Sequence, residues 1–244
     1  MIGDEPMTKV KDSRNCVAFK LNYNNGGAND EQIGYCGVCS KSVIDYNINK
    51  VKRNWCSRSD CKRYLDGEIT YDELESYWSP ETDSDFTCYE SRTLRDWIAG
   101  AGADSNGEPR RISNADDLLG HLCLLTTVRP GFKEIDRIIF AMFIIDDYYV
   151  DDSDWNDEVL ADKKYRLKFN SNEIDKLKFG SIHTNPNNPS VKKWGSGLFR
   201  YFDNNEAIKF IKKAVEIKKG TPEENFAKEF LSHYCKINNI KNFD

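Results

Sequence analysis

The chain has 244 residues, 39% of them hydrophobic and 31% charged, which suits a folded protein with one large domain or a domain plus a small module. No run approaches the ~18 apolar residues that a membrane span requires, and the first eleven residues carry Asp4 and Glu5 without an apolar stretch. A net charge of −5 excludes a protein that coats nucleic acid through many phosphate contacts, but not one that grips a few nucleotides. A cytoplasmic protein without a membrane anchor is therefore expected.

Residues 1–13 read as a polar, disordered tail. Cys16 to Tyr23 alternates, with Val17, Phe19, Leu21 and Tyr23 on one side, as a half-buried strand does. A turn at Gly26-Gly27 leads into a cysteine-rich segment, about 34–65. Glu68 to Trp78 predicts a short helix opened by Thr70, with Glu73 three residues on. Ser79 to Asp85 is a polar loop, and Ala99 to Asp104 a small-residue loop. His121 to Val128 and Arg137 to Tyr149 form an expected antiparallel hairpin, and Tyr165 to Phe169 a third strand. Pro186 and Pro189 place a loop over 185–190. Asn204 to Lys218 has helical spacing of Ala207, Ile208, Ile211, Ala214 and Val215 behind an Asp203 cap, and Pro222 to Ile237 is a further helix. The reading is α+β, with a small, mostly antiparallel sheet or barrel. Its parts are an N-terminal segment, 14–80, carrying the cysteine module, a main domain, 81–218, and a C-terminal helix, 219–244, packed on it.

Cys36-Gly-Val-Cys39, Cys56 and Cys61 make C-x2-C-x16-C-x4-C. A tight C-x2-C turn supplies two thiolates at zinc-ligand separation, and four ligands close the tetrahedron, so the expected metal is a structural zinc. Reduced thiols are the alternative. Cys88 is a substitute ligand if Cys36 is not one, and Cys16, Cys123 and Cys235 lie in core-like patterns. No catalytic constellation is visible. His121, His183 and His233 are scattered, the acidic run Asp146 to Asp154 reads as a solvated strand end with cation binding as the alternative, and Glu216-Ile-Lys218 has a nuclease-like shape without an aspartate partner. Basic residues recur in 163–168, 192–200 and 209–219, compatible with one basic face.

Gly120-His-Leu-Cys-Leu-Leu-Thr-Thr-Val-Arg-Pro-Gly131, running on to Arg137-Ile-Ile-Phe-Ala-Met-Phe-Ile-Ile-Asp-Asp147, resembles PUA-like domains of the EVE, YTH and ASCH kind. So does Trp194-Gly-Ser-Gly-Leu-Phe-Arg-Tyr-Phe202 followed by a helix. Together they cover roughly 86–217. The resemblance implies a mostly antiparallel PUA-like β-barrel with flanking helices, into which the small four-cysteine zinc segment is built. It implies a reader of nucleic acid, DNA favoured over RNA, that recognises a modified base. In prokaryotes such domains often serve restriction or antiviral defence systems, and a cleaving nuclease would be a separate partner chain. The polar strand end Thr126 and Thr127 would line the pocket. A flipped base stacks between aromatic faces, for which Trp97, Trp194 and Tyr89 are candidates, with Asp96 accepting from an exocyclic amine. Each has a packing or surface alternative. Arg129, Arg200 and Arg92 are the candidate phosphate contacts. An RNA-binding PUA-like protein and an ASCH-type hydrolase are the alternatives.

Overall fold

The computed structural model describes residues 14–78, 87–102, 110–113, 115–150, 157–184, 190, 194–195 and 197–241. The expected tail 1–13, the loop 79–85, Asp151, Asp152, Asp154, Pro186 and Pro189 lie outside them. The architecture is α+β: a curled, six-stranded mixed sheet, a half-barrel, with flanking helices. The strands are β1 (Cys16–Lys20), β2 (Ile98–Gly100), β3 (Leu122–Thr127), β4 (Ile138–Tyr149), β5 (Glu158–Lys168) and β6 (Phe199–Phe202), in the order β2-β5-β4-β3-β1-β6. The pairing of β1 with β3 is parallel and the other four are antiparallel. Register shifts in β4 against β3 and β5 mark bulges, which increase local twist and bend the sheet.

Both sheet faces are covered, which is why the central strands read as continuous apolar runs. Cys16, Ala18, Leu122, Leu124, Met142 and Ile144 face one core; Val17, Phe19, Cys123, Leu125, Phe143 and Ile145 face the other. The first core is closed by α5 (Asn204–Lys218) and α6 (Glu224–Ile237), through Phe210, Ile211, Ala214, Phe230 and Tyr234. Asp203 caps α5 by accepting from the Glu206 amide at 2.8 Å. The second core is closed by Tyr35, which stacks on Phe140 at 3.9 Å, and by Leu94, Ile112 and Leu118.

Between β1 and β2 the chain makes α1 (Lys41–Asp45), α2 (Asp60–Leu65), α3 (Tyr71–Ser76) and α4 (Tyr89–Asp96). The first three surround a third, smaller core built on Val38, Cys39, Ile44, Cys56, Cys61 and Leu74. The Thr70–Glu73 capping box opens α3. β1, from the N-terminal segment, lies between β3 and β6, inside the sheet. The strand period of β1 reads correctly, but both its faces are buried.

Candidate functional site

The carboxyl ends of the parallel neighbours β1 and β3 open beside the cysteine module. Lys20 ends β1, Arg129 follows β3, and Glu134 and Arg137 stand before β4. The module reaches the same place: the Gly131 amide donates to the Tyr46 hydroxyl at 3.0 Å, and Arg53 lies within electrostatic reach of Lys20 and Arg137. Glu134 is the shared carboxylate. It accepts from Arg137 Nε at 3.0 Å and Nη2 at 2.9 Å, and Lys20 Nζ lies 3.2 Å away. Three cations thus converge with Glu134 paired to two of them. Burial, then the positive charges of Arg137 and Arg53, holds Lys20 below its ordinary value against the pull of Glu134. Burial lowers Arg137 too. Burial would raise Glu134, but Arg137 and Lys20 outweigh it and hold the carboxyl low.

Arg137 is a buried cornerstone rather than a contact: it is 2% exposed, donates to Thr126 Oγ1 at 3.2 Å and lies 5.1 Å over the Trp194 ring. Arg53 is half-buried, and its Nε is enclosed without a hydrogen-bond partner. Phe132 is 52% exposed with the Arg129 guanidinium over it at 4.7 Å.

Below the mouth lies a small cavity lined by Asn22, Asn24, Thr87, Glu90 and the thiols of Cys39, Cys56, Cys61 and Cys88, among others. Its walls are set by asparagines. Asn24 Oδ1 accepts from the amides of Gly26 (2.8 Å) and Tyr35 (3.1 Å), and Asn25 Oδ1 from Ser40 (3.0 Å). Gly26 presses on Gly37 so closely that a Cβ would fall 1.9 Å from the Gly37 carbonyl oxygen, which explains glycine there. Glu90, on α4, accepts from Asn22 N at 3.1 Å and Nδ2 at 2.8 Å, and desolvation raises its carboxyl. Burial pushes the Cys39 thiol up to about 12, against the opposing effect of the nearby Asn25 and Gly26 backbone amides. Cys56, Cys61 and Cys88 are raised by burial as well. Among the described residues no three or more His, Cys, Asp or Glu side chains are gathered as a metal-holding group. None of the three histidines lines the cavity.

The residues named from sequence are dispersed. Trp194 is 5% exposed in the α5–α6 core, its Nε1 donating to Gly197 O at 2.9 Å. Trp97 packs on the opposite face, edge-on to Phe143 at 6.4 Å, with a left-handed backbone (φ 55°) where α4 turns into β2. The sheet separates the two rings, so they do not form one cage. Tyr89 is half-buried with its hydroxyl enclosed and without a hydrogen-bond partner. Asp96 pairs with Arg95 at 2.6 Å. Thr126 and Thr127 are fully buried and donate to the Phe19 and Leu21 carbonyls, tying β3 to β1 instead of lining a pocket. Arg92 pairs with Glu158 at 3.1 Å, and Arg200 donates to the Trp194 carbonyl at 3.0 Å. Only Arg129 stands at the mouth, paired with Asp175. Cys39, Cys56 and Cys61 share the cavity, but Cys36 is half-buried and absent from its lining, where Cys88 stands instead. Cys16, Cys123 and Cys235 are buried, as core residues should be.

Asp157, beyond the acidic run, is 1% exposed and accepts from Arg111 at 2.8 Å and the Ile112 amide at 2.6 Å. Lys218 of the nuclease-like triplet is buried against Glu173 at 2.7 Å. No helix among the described residues is long and apolar enough to cross a membrane. No family model, curated protein or solved structure matches the chain.

Proposed function

We propose that this protein binds nucleic acid at the mouth formed by Lys20, Arg53 and Arg129, with DNA favoured and a modified base as the feature read. The observation that carries the reading is the convergence of Lys20, Arg53 and Arg137 around Glu134 in a chain whose net charge is −5. Like charges held together, at a cost in mutual repulsion, suit an anion such as a backbone phosphate. Phe132, under the Arg129 guanidinium, is an exposed ring on which a displaced base can stack. Few cations take part, which fits a reader of a few nucleotides and not a coat. The PUA-like identity of the fold belongs to this same proposal, supported by the curled sheet with flanking helices.

The test is fluorescence polarisation with short duplexes carrying cytosine, 5-methylcytosine, 5-hydroxymethylcytosine, adenine or N6-methyladenine, and with a single-stranded RNA of the same sequence. Wild type and Arg53→Ala are compared across a salt series. Arg53→Ala weakens every ligand and reduces the slope of log affinity against log salt by about 1, the signature of one lost phosphate contact. Preference for one modified duplex identifies the base, and preference for RNA reassigns the ligand. Absence of binding to all six at low salt, or an unchanged Arg53→Ala, refutes the assignment.

A further inference from the structure

We infer that Cys39, Cys56, Cys61 and Cys88 bind one structural zinc ion, with Cys88 taking the place that spacing alone gives to Cys36, so that the metal ties the cysteine module to helix α4. The four thiols line one cavity although they come from four separate places: the turn before α1, the turn before α2, α2 itself and the residue preceding α4. Cys88 lies within electrostatic reach of the other three. Cys36 has no part in that cavity; its amide donates to Gly26 O at 3.1 Å.

A further observation points to an anionic group at this place. Thr87 is 6% exposed and lines the cavity, yet its Oγ1 has no hydrogen-bond partner. A buried hydroxyl left unmatched is costly, and a tetrathiolate cluster, carrying a net charge of about −2 with its zinc, is an acceptor for it. Zinc–sulfur bonds of ~2.3 Å set sulfurs ~3.8 Å apart on a tetrahedron. The sulfurs are not gathered that tightly here, so binding draws them inward on the cavity they already line. Each thiol releases its proton to solvent as its sulfur lone pair bonds zinc, and no electron changes hands. A closed set of four protein ligands leaves no open position, so the zinc is structural.

The experiment measures zinc per chain by mass spectrometry of metals on protein purified without chelator, together with maleimide labelling of each cysteine before and after chelation. The expected result is about one zinc per chain in wild type and in Cys36→Ser, and a loss of most of it in Cys88→Ser. Labelling needs no variant and holds even if Cys88→Ser does not fold. In the zinc-loaded wild type Cys36 reacts while Cys39, Cys56, Cys61 and Cys88 are protected, and chelation exposes those four together. A wild type that neither carries nor takes up zinc overturns the inference. So does protection of Cys36 with Cys88 left reactive, or zinc whose removal changes the labelling of none of the four. Nucleic acid enters none of these readouts, so this inference and the proposed function stand or fall separately.

Discussion

Replacing Lys218 by methionine tests how the buried end of α5 is held. Lys218 ends α5, and its side chain is 1% exposed. Its Nζ donates to Glu173 at 2.7 Å and to Glu223, and lies 5.3 Å from the Phe169 ring centre. Methionine keeps the length and the apolar packing but strands Glu173, which is 4% exposed and whose Oε1 is already unpartnered; Oε2 keeps only the Asn170 amide at 3.0 Å. Glu223, 43% exposed, returns to water at little cost. Removing one partner of a buried ion pair costs about 3–5 kcal/mol. Lys218→Met is therefore expected to lose about 3–4 kcal/mol in urea unfolding at pH 7, a fall of roughly 10 °C in Tm for a chain of this size. Lys218→Met combined with Glu173→Gln recovers about 2 kcal/mol at pH 7, since the buried charge has gone. A single substitution costing under about 1 kcal/mol at pH 7, or a double substitution costing the sum of its parts, refutes the reasoning.

Trp194→Ala is expected to destabilise by about 3–5 kcal/mol in denaturant unfolding, as a core residue does, whereas a ring free to hold a base would cost far less. Thr70→Ala removes the bond from the Glu73 amide to Thr70 Oγ1 and leaves the Thr70 amide donating to Glu73, for a loss of about 1 kcal/mol; a Tm unchanged within error would count against that cap. His121 makes stability depend on pH. Its Nδ1 donates to Asn204 Oδ1 at 3.2 Å and its Nε2 accepts from Asn15 at 3.3 Å, and burial lowers its pKa from the ordinary 6.5. The native state then binds fewer protons than the unfolded chain below that value. Stability is full above about 6.5 and falls as pH falls toward the folded pKa, by no more than about 1.4 kcal/mol per pH unit. Urea unfolding between pH 7.5 and 5 measures the slope, which His121→Gln should reduce; an unchanged slope excludes His121 as its source.

Much of the fold was readable locally. The helix expected over 204–218 is α5 with its Asp203 cap, Thr70 and Glu73 open α3, and the two strongly apolar strands pair as the expected hairpin. Short edge elements were not readable: β2 has three residues and β6 four, too few to establish a period, and β6 falls in none of the expected strands. Nor does sequence reveal that β1 joins β3 in parallel across about a hundred residues, since pairing partners are chosen by packing in three dimensions. The basic mouth escaped for the same reason. Lys20, Arg53, Glu134 and Arg137 are scattered singly, while the visible basic runs lie elsewhere. A signal was present in Arg137, a charged residue placed directly against the most apolar strand of the chain, where a charge persists only if paired. Trp97 and Trp194 both adjoin glycine-containing loops, but loop composition carries no information about which sheet face a ring will meet.

Helix α4 connects the two parts of the candidate site. Cys88 precedes it, Glu90 on its first turn holds Asn22 just past β1, Ser91 O accepts the Gly37 amide of the cysteine turn at 2.8 Å, and Arg92 anchors it to Glu158 on β5. The module it supports has a core far smaller than those on the sheet faces, and small cores leave little surplus over the entropy of ordering their chain. Asparagine-mediated turns and one shared helix hold it in register. A metal whose ligands came only from 36–61 would stiffen the module and leave its seating on the sheet to those contacts. A metal that includes Cys88 fixes the module to α4, and through α4 fixes Arg53 relative to Lys20 and Arg137. Placement of a cation contributed by one part of the chain against two contributed by another is what an anion site at the mouth requires.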